Sequence, residues 1–181
     1  MSTGADIDPR APTHFCGYGS DGSDMTRKTA WWLLLAALIV VVDQATKFVV
    51  VRHMALNQVL EVTSFFNLVL VYNPGAAFSF LASHGGWQRT LFTVIATVAS
   101  IWITYLLCRY PGQRLFAFSL VLILGGAIGN LIDRITVGAV IDFLDFHGFG
   151  YHWPAFNVAD SGITCGAVLL VYDALRPRRK A

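Results

Sequence analysis

Between residues 130 and 161 the chain carries three closely linked polar groups in an apolar setting: Asn130-Leu131-Ile132-Asp133-Arg134, Val140-Ile141-Asp142-Phe143 and Phe156-Asn157-Val158-Ala159-Asp160-Ser161. Carboxylates and amides thus stand at the end of one strongly apolar run and inside the start of the next, where ionisable groups are costly to keep and mark function by default. Two carboxylates within hydrogen-bond reach cannot both ionise easily, so one keeps a proton while the other acts as base on a water between them. Such a pair can hydrolyse an amide with neither a metal nor a covalent intermediate. Spacing alone leaves the members of the pair open among Asp133, Asp142, Asp145 and Asp160. Competing chemistries lack their signatures, since there is no His-Glu-x-x-His, no Gly-x-Ser-x-Gly and no P-loop. The cysteines, Cys16, Cys108 and Cys165, are odd in number and widely spread, so neither a disulfide framework nor a metal site is expected; Cys108 and Cys165 read as small buried hydrophobes. No cofactor is called for.

The elements that must hold these groups follow from composition. Of 181 residues, 55% are hydrophobic and only 13% charged, which places the chain among membrane proteins. The net charge of +2 is small, and the Lys and Arg cluster beside apolar runs rather than along a groove, so nucleic acid is excluded as a partner and membrane lipid is expected. Residues 1–24, rich in Gly, Ser, Asp and Pro without an apolar period, read as a disordered tail, and residues 25–181 as a single membrane domain. Four spans are expected at about 31–51, 90–108, 115–132 and 156–172, each near the roughly 20 apolar residues that cross a bilayer. The basic start of the first resembles a signal peptide in outline, but no small-residue cleavage site follows it. Gly125 and Gly129, four apart in the third span, predict a face that packs closely on another helix.

Between the first two spans, Val59–Val62 and Phe65–Tyr72 are rich in β-branched and aromatic residues and predict strands, ended by the turn signal Asn73-Pro74-Gly75. Open sheet edges cannot face lipid, so this sheet belongs at or above the headgroups, with Phe78 and Phe80 as apolar contacts beside it. Residues 134–155, rich in Phe, Gly and His, predict a mobile flap hinged at Gly148 and Gly150, with Asp145 a loop residue. The fold expected is therefore mainly α, a polytopic membrane protein of four transmembrane helices with a small extramembrane β-sheet. Lys and Arg concentrate at 27–28, 109–114 and 176–180, which puts both termini in the cytoplasm and the polar motifs near the outer leaflet.

Each polar group also has a structural reading. Asp43 and Lys47, four apart, can pair on one helix face or contact a substrate. Asn130, Asp133 and Arg134 can form a helix-end network or hold substrate backbone. Asn157 fits an N-terminal cap, whereas capping does not account for Asp160. A noncatalytic four-helix transporter or assembly factor is the alternative class, but it calls for midplane polar groups and internal repetition, and the polar set here gathers on one side with no repeat.

Five linked motifs, Asp43-Gln44-Ala45-Thr46-Lys47, Tyr72-Asn73-Pro74-Gly75-Ala76-Ala77-Phe78-Ser79, residues 125–134, Val140-Ile141-Asp142-Phe143 and residues 156–161, resemble the lipoprotein signal peptidase (signal peptidase II) family in order from about Trp31 to Arg176. The resemblance implies an aspartic endopeptidase of the bacterial inner membrane that removes signal peptides from prolipoproteins, cutting N-terminal to a diacylglyceryl-modified cysteine, with its active site toward the periplasm and working as a monomer. It implies Asp142 and Asp160 as the catalytic pair. Asn73, Asn130, Arg134 and Asn157 match positions that contact the peptide or the inhibitor globomycin, and Asp43, Lys47 and Asp133 supporting ones. The family usually has Thr or Arg where Pro74 stands; Pro still permits the turn while removing one backbone donor.

Overall fold

The structure, a computed structural model, describes residues 21–75 and 87–176. The expected tail up to residue 20, the short apolar segment 76–81 and the contacts assigned to Phe78 and Phe80 lie outside the described residues. Four helices, α1 (Asp21–His53), α2 (Trp87–Arg109), α3 (Arg114–Thr136) and α4 (Val158–Leu175), are each long and apolar enough to cross a membrane. α1 begins at Asp21, so its first turn takes in residues 21–24, which the sequence assigns to the tail.

α3 is the axis of the bundle and the other three helices lean on it. Its apolar face, including Leu120, Val121 and Leu124, packs with Ala36 of α1 and with Ile103 and Leu107 of α2. Glycine allows the closest approaches. A Cβ at Gly125 would lie 2.7 Å from Ile39, and one at Gly129 2.5 Å from the Asp43 carboxylate, so the two residues expected on one packing face do share one, against α1. Gly126 faces the other way, where a Cβ would run into the backbone oxygen of Ala159 in α4. The outer surfaces carry Leu34, Leu38, Phe48, Val94, Ile101 and Val168, all exposed, while Asp43, Lys47 and Asp133 are buried. Apolar outside and charged inside is the arrangement that hydrocarbon solvent demands. Cys108 and Cys165 are exposed, Cys165 on the wall of a large cavity, and the expectation that they are buried is corrected.

The sheet is antiparallel in the order β1-β2-β3-β4, with β1 (Val59–Thr63), β2 (Phe66–Asn73), β3 (Val140–Gly148) and β4 (Tyr151–His152). β1 and β2 fall where their composition predicts. The flap at 134–155 does not survive: residues 140–148 form an inner strand of the sheet, paired to β2 through Phe66↔Phe146, Leu68↔Leu144, Val71↔Asp142 and Asn73↔Val140. Gly150, at φ +80, and Phe149, at φ +51, make the tight turn into β4 rather than a hinge. The strand was hidden because Val140 to Phe143 are all buried, which erases the polar–apolar alternation of a half-exposed strand. A register shift between Leu68 and Val71 gives β2 one more residue than β3 across the same interval, a bulge beside the strand position of Asp142.

Because Gly126 meets main chain rather than a yielding side chain, Gly126→Leu should force α3 from α4. A loss of about 1–3 kcal/mol of stability is expected from overpacking of this kind, seen as a lowered thermal midpoint in detergent. Leu at the open position Gly112, where nothing lies within 4 Å, should leave the midpoint unchanged.

Candidate active site

The site is built outward from one ammonium group. Lys47 of α1 is 1% exposed, and its Nζ donates to Asp43 Oδ2 at 2.8 Å, Asp133 Oδ2 at 2.7 Å and Asn130 Oδ1 at 2.9 Å. Three donors meet three acceptors, so the ammonium is saturated without water. Two carboxylates around one cation leave a surplus negative charge, spread over further donors. Asp43 Oδ1 accepts from the Ala159 backbone N–H at the start of α4, and Asp133 accepts from Gln44 Nε2 and from the Ile141 backbone N–H. One cluster thereby joins α1, α3, β3 and α4, and the structural reading of Asp43, Lys47 and Asp133 is the one the geometry supports.

That cluster fixes the amides. An ammonium can only donate, so Asn130 must turn its oxygen to Lys47 and its nitrogen away; Nδ2 donates to Asp160 Oδ1 at 2.7 Å. Asn157 is the N-cap of α4 and its oxygen accepts from the Asp160 backbone N–H at 2.9 Å. Its nitrogen then points to Asp142 Oδ1 at 2.7 Å, with Asn130 Oδ1 and the Ile141 carbonyl also within reach. Asp160 is in turn residue N3 of a capping box, its Oδ2 accepting from the Asn157 backbone N–H. Capping thus does involve Asp160, a correction to the sequence expectation, while its other oxygen remains on Asn130. The third amide, Asn73, accepts from Gly75 N–H in an Asx turn and donates through Nδ2 to Asp142 Oδ2 at 3.0 Å. Pro74 is accommodated because this turn uses the nitrogen of Gly75 and not its own.

The four candidate carboxylates are now sorted. Asp133 is consumed by Lys47, Gln44 and Ile141. Asp145, three residues after Asp142 in β3, projects from the opposite face of the strand, where its carboxylate accepts from Asn67 Nδ2 at 2.9 Å and lies 3.0 Å from His152 Nδ1. It is a buried strand residue and not the loop residue expected. Burial works to raise the Asp145 pKa, but the bonds from His152 and Asn67 and the charge of the histidines hold it below the ordinary carboxylate value. Asp142 goes the other way, to about 7: desolvation is the main cause, opposed by the Asn73 bond and reinforced by the charge of Asp160. Only Asp142 and Asp160 among these four line the large cavity of about 810 Å³, together with Asn73, Arg134, Phe92 and Trp153. Asn130 and Asn157 stand behind the pair, almost wholly buried. Arg134 reaches the wall with its guanidinium 5.5 Å from the Phe92 ring centre and Nη1 donating to the Asn130 carbonyl.

Gln44, Asn67 and His152 were not singled out from sequence as site or supporting residues, and Asp145 only as one of four candidates for the acid pair. Gln44 gave a signal, an amide within an apolar span; Asn67 gave none, since its partner is 78 positions away. Among the described residues no group of three or more His, Cys, Asp or Glu is placed to hold a metal ion.

The sequence profile described as Signal peptidase (SPase) II matches residues 35–176. The chain belongs to the signal peptidase II family. A protein of Janthinobacterium sp. (strain Marseille) named lipoprotein signal peptidase is 61% identical over 145 residues, covering 80% of this chain and 88% of that one. Another of that name, from Cupriavidus taiwanensis, is 59% identical over 149 residues, 82% of this chain and 85% of its own. A solved bacterial membrane enzyme, determined by the in meso method at 1.9 Å resolution, superposes with a TM-score of 0.73 at 32% identity over 81% of this chain and 94% of that one. The family makes this chain a membrane peptidase of the aspartic class, and the transporter alternative is set aside.

Lys47→Met should strand two buried carboxylates that the ammonium now holds. The expected cost is about 3–5 kcal/mol, read as loss of folded protein in detergent. The same substitution combined with Asp43→Asn and Asp133→Asn should recover part of it, because no buried charge is then left alone.

Proposed function

We propose that this peptidase removes signal peptides from prolipoproteins by hydrolysing the amide bond N-terminal to a diacylglyceryl-modified cysteine, with Asp142 and Asp160 as its acid and base. The observation that carries the reading is that these two carboxylates, from β3 and from the first turn of α4, share one cavity and one bracket of amides, Asn130 and Asn157. Both receive neutral N–H donors and, among the described residues, neither has a lysine or arginine ion pair, which suits a pair that must pass a proton back and forth.

In this reading Asp142 holds the shared proton and Asp160 is the base. Asp160 takes a proton from a water lying between the two, the water oxygen bonds to the scissile carbonyl carbon, and Asp142 gives its proton to the carbonyl oxygen. As the tetrahedral diol collapses and the C–N bond breaks, Asp160 gives its proton to the nitrogen and Asp142 takes one from a diol hydroxyl. The products are the carboxyl end of the signal peptide and the free amine of the lipidated cysteine, and the pair is left with one proton as before. Asn73 and Arg134, on the cavity wall, bind peptide backbone, and globomycin would occupy the same cavity. Asn130 and Asn157 position the pair from behind. A cleavage point tethered to lipid must be met at the bilayer surface, and access between helices spares the substrate from leaving the membrane. The basic residues at 27–28, 109–114 and 176–180 favour cytoplasmic termini, which turns the cavity to the periplasmic side of the inner membrane; the chain acts as a monomer.

Asp142→Asn and Asp160→Asn should each lower release of signal peptide from a diacylated prolipoprotein by at least about 10²–10⁴-fold, with the thermal midpoint retained; full turnover in either variant excludes the assignment. Turnover against pH should be bell-shaped, falling above about 7 as the pair loses its shared proton and falling in acid as a second proton binds, both limbs belonging to the pair.

Asp142 also makes stability depend on pH. Its folded pKa lies above the ordinary 3.8, so the stabilising proton is fully in place below about pH 4 and lost as pH rises through about 7. A rise of about three pH units at about 1.4 kcal/mol each is on the order of 4 kcal/mol at most. The thermal midpoint should therefore decline between these limits in the native chain and decline less in Asp142→Asn.

A further inference from the structure

At the end of the bundle opposite the dyad, a second cavity of about 490 Å³ opens between the start of α1 and the α2–α3 turn, lined by Lys28, Trp31, Trp32, Leu35, Pro111 and Arg114. Nothing in the peptidase reaction calls on it. We propose that this cavity binds the phosphate headgroup of one anionic phospholipid, with the acyl chains running down over Trp31 and Leu35.

Three sources of positive charge converge there. Arg114 is exposed and makes no hydrogen bond or ion pair among the described residues. Lys28 lies across the cavity, its ammonium held among the described residues by Asp24 alone, in a half-exposed pair, and exposed pairs of this kind are weak and readily exchanged. The third source is the N-terminus of α3 beside Arg114, whose cap residue Gln113 makes no side-chain capping bond to its first amide N–H groups. The cavity is preformed, because Trp32 Nε1 donates to the Pro111 carbonyl at 3.0 Å and pins the turn to α1. Its depth suits a lipid rather than a soluble anion: the cations sit at the rim, and one turn further in the lining changes to Trp31, 65% exposed, and Leu35. Indole at the boundary and basic side chains above it mark the headgroup level of a bilayer, and basic pockets between spans take anionic headgroups. A zwitterionic lipid would bring its own cation against Lys28 and Arg114, so charge selects the anionic class. Arg27 and Arg109 nearby add to the same field.

The test uses the full chain in neutral detergent, titrated with phosphatidylglycerol, phosphatidylcholine or inorganic phosphate, with adducts counted by native mass spectrometry. Phosphatidylglycerol should be retained in preference to phosphatidylcholine. Lys28→Gln and Arg114→Gln should each weaken that retention about fivefold, with thermal midpoints unchanged. Asp24→Asn, which removes the competing anion and no cation, should strengthen it. Equal retention of the two lipids, or phosphatidylglycerol binding that is unmoved in the Lys28→Gln/Arg114→Gln double variant, would overturn the proposal. Inorganic phosphate binding as tightly as phosphatidylglycerol, with the same response to the variants, would also overturn it by marking a site for a free anion.

Discussion

A single buried ammonium, 1% exposed, sets the terms for the rest of this structure. Lys47 reaches Asp43, Asp133 and Asn130 at once, and that contact orients the bonds those three make to their other partners. A charge taken out of water costs several kcal/mol unless it is matched on every side. In a bundle bathed in hydrocarbon there is no alternative partner outside, so the match must come from α3 and, through Asp43, from the first turn of α4. Helix packing is the precondition: Gly129 has no side chain, and the Asp43 carboxylate takes the space that a Cβ would need.

Orientation passes from this cluster to the cavity through amides. Asn130 cannot rotate without presenting its NH₂ to an ammonium, and Asn157 cannot rotate without losing the cap of α4. Both are therefore held with nitrogens toward the carboxylates. Asp160 and Asp142 receive charge-neutral donors that place them without fixing a charge on either, as an ion pair with lysine would. The two acids are held by a surround in which α3, α4 and β3 are cross-linked by hydrogen bonds, rather than by a loop.

The sheet makes the remaining distinction. Asp142 and Asp145 are near neighbours in sequence and alike in type, yet one is driven up to about 7 and the other held below its ordinary value. Strand parity separates them: one face meets Asn73 and the helix bundle, the other Asn67 and two histidines that stack with ring centres 4.9 Å apart. The bulge in β2 lies between these two environments and lets one strand serve both.

Much was legible in the chain itself. Four apolar runs, the glycines at 125 and 129 and the composition of β1 and β2 are local properties, and each determined its element because a bilayer leaves helices and protected sheets few other choices. Motif resemblance pointed to Asp142 and Asp160 among four aspartates that spacing left equal. What the sequence could not decide was everything that depends on contacts between distant segments. The strand at 140–148 read as a flap because both its faces are covered and its partner lies some 70 residues earlier, so neither alternation nor proximity announced it. Asp160 read as lying beyond its cap because only the folded turn shows its oxygen returning to Asn157. Which acid faces the cavity, which is spent on Lys47 and which turns to histidine were decided by tertiary structure alone, because solvation and hydrogen-bond direction belong to the place a residue occupies and not to its type.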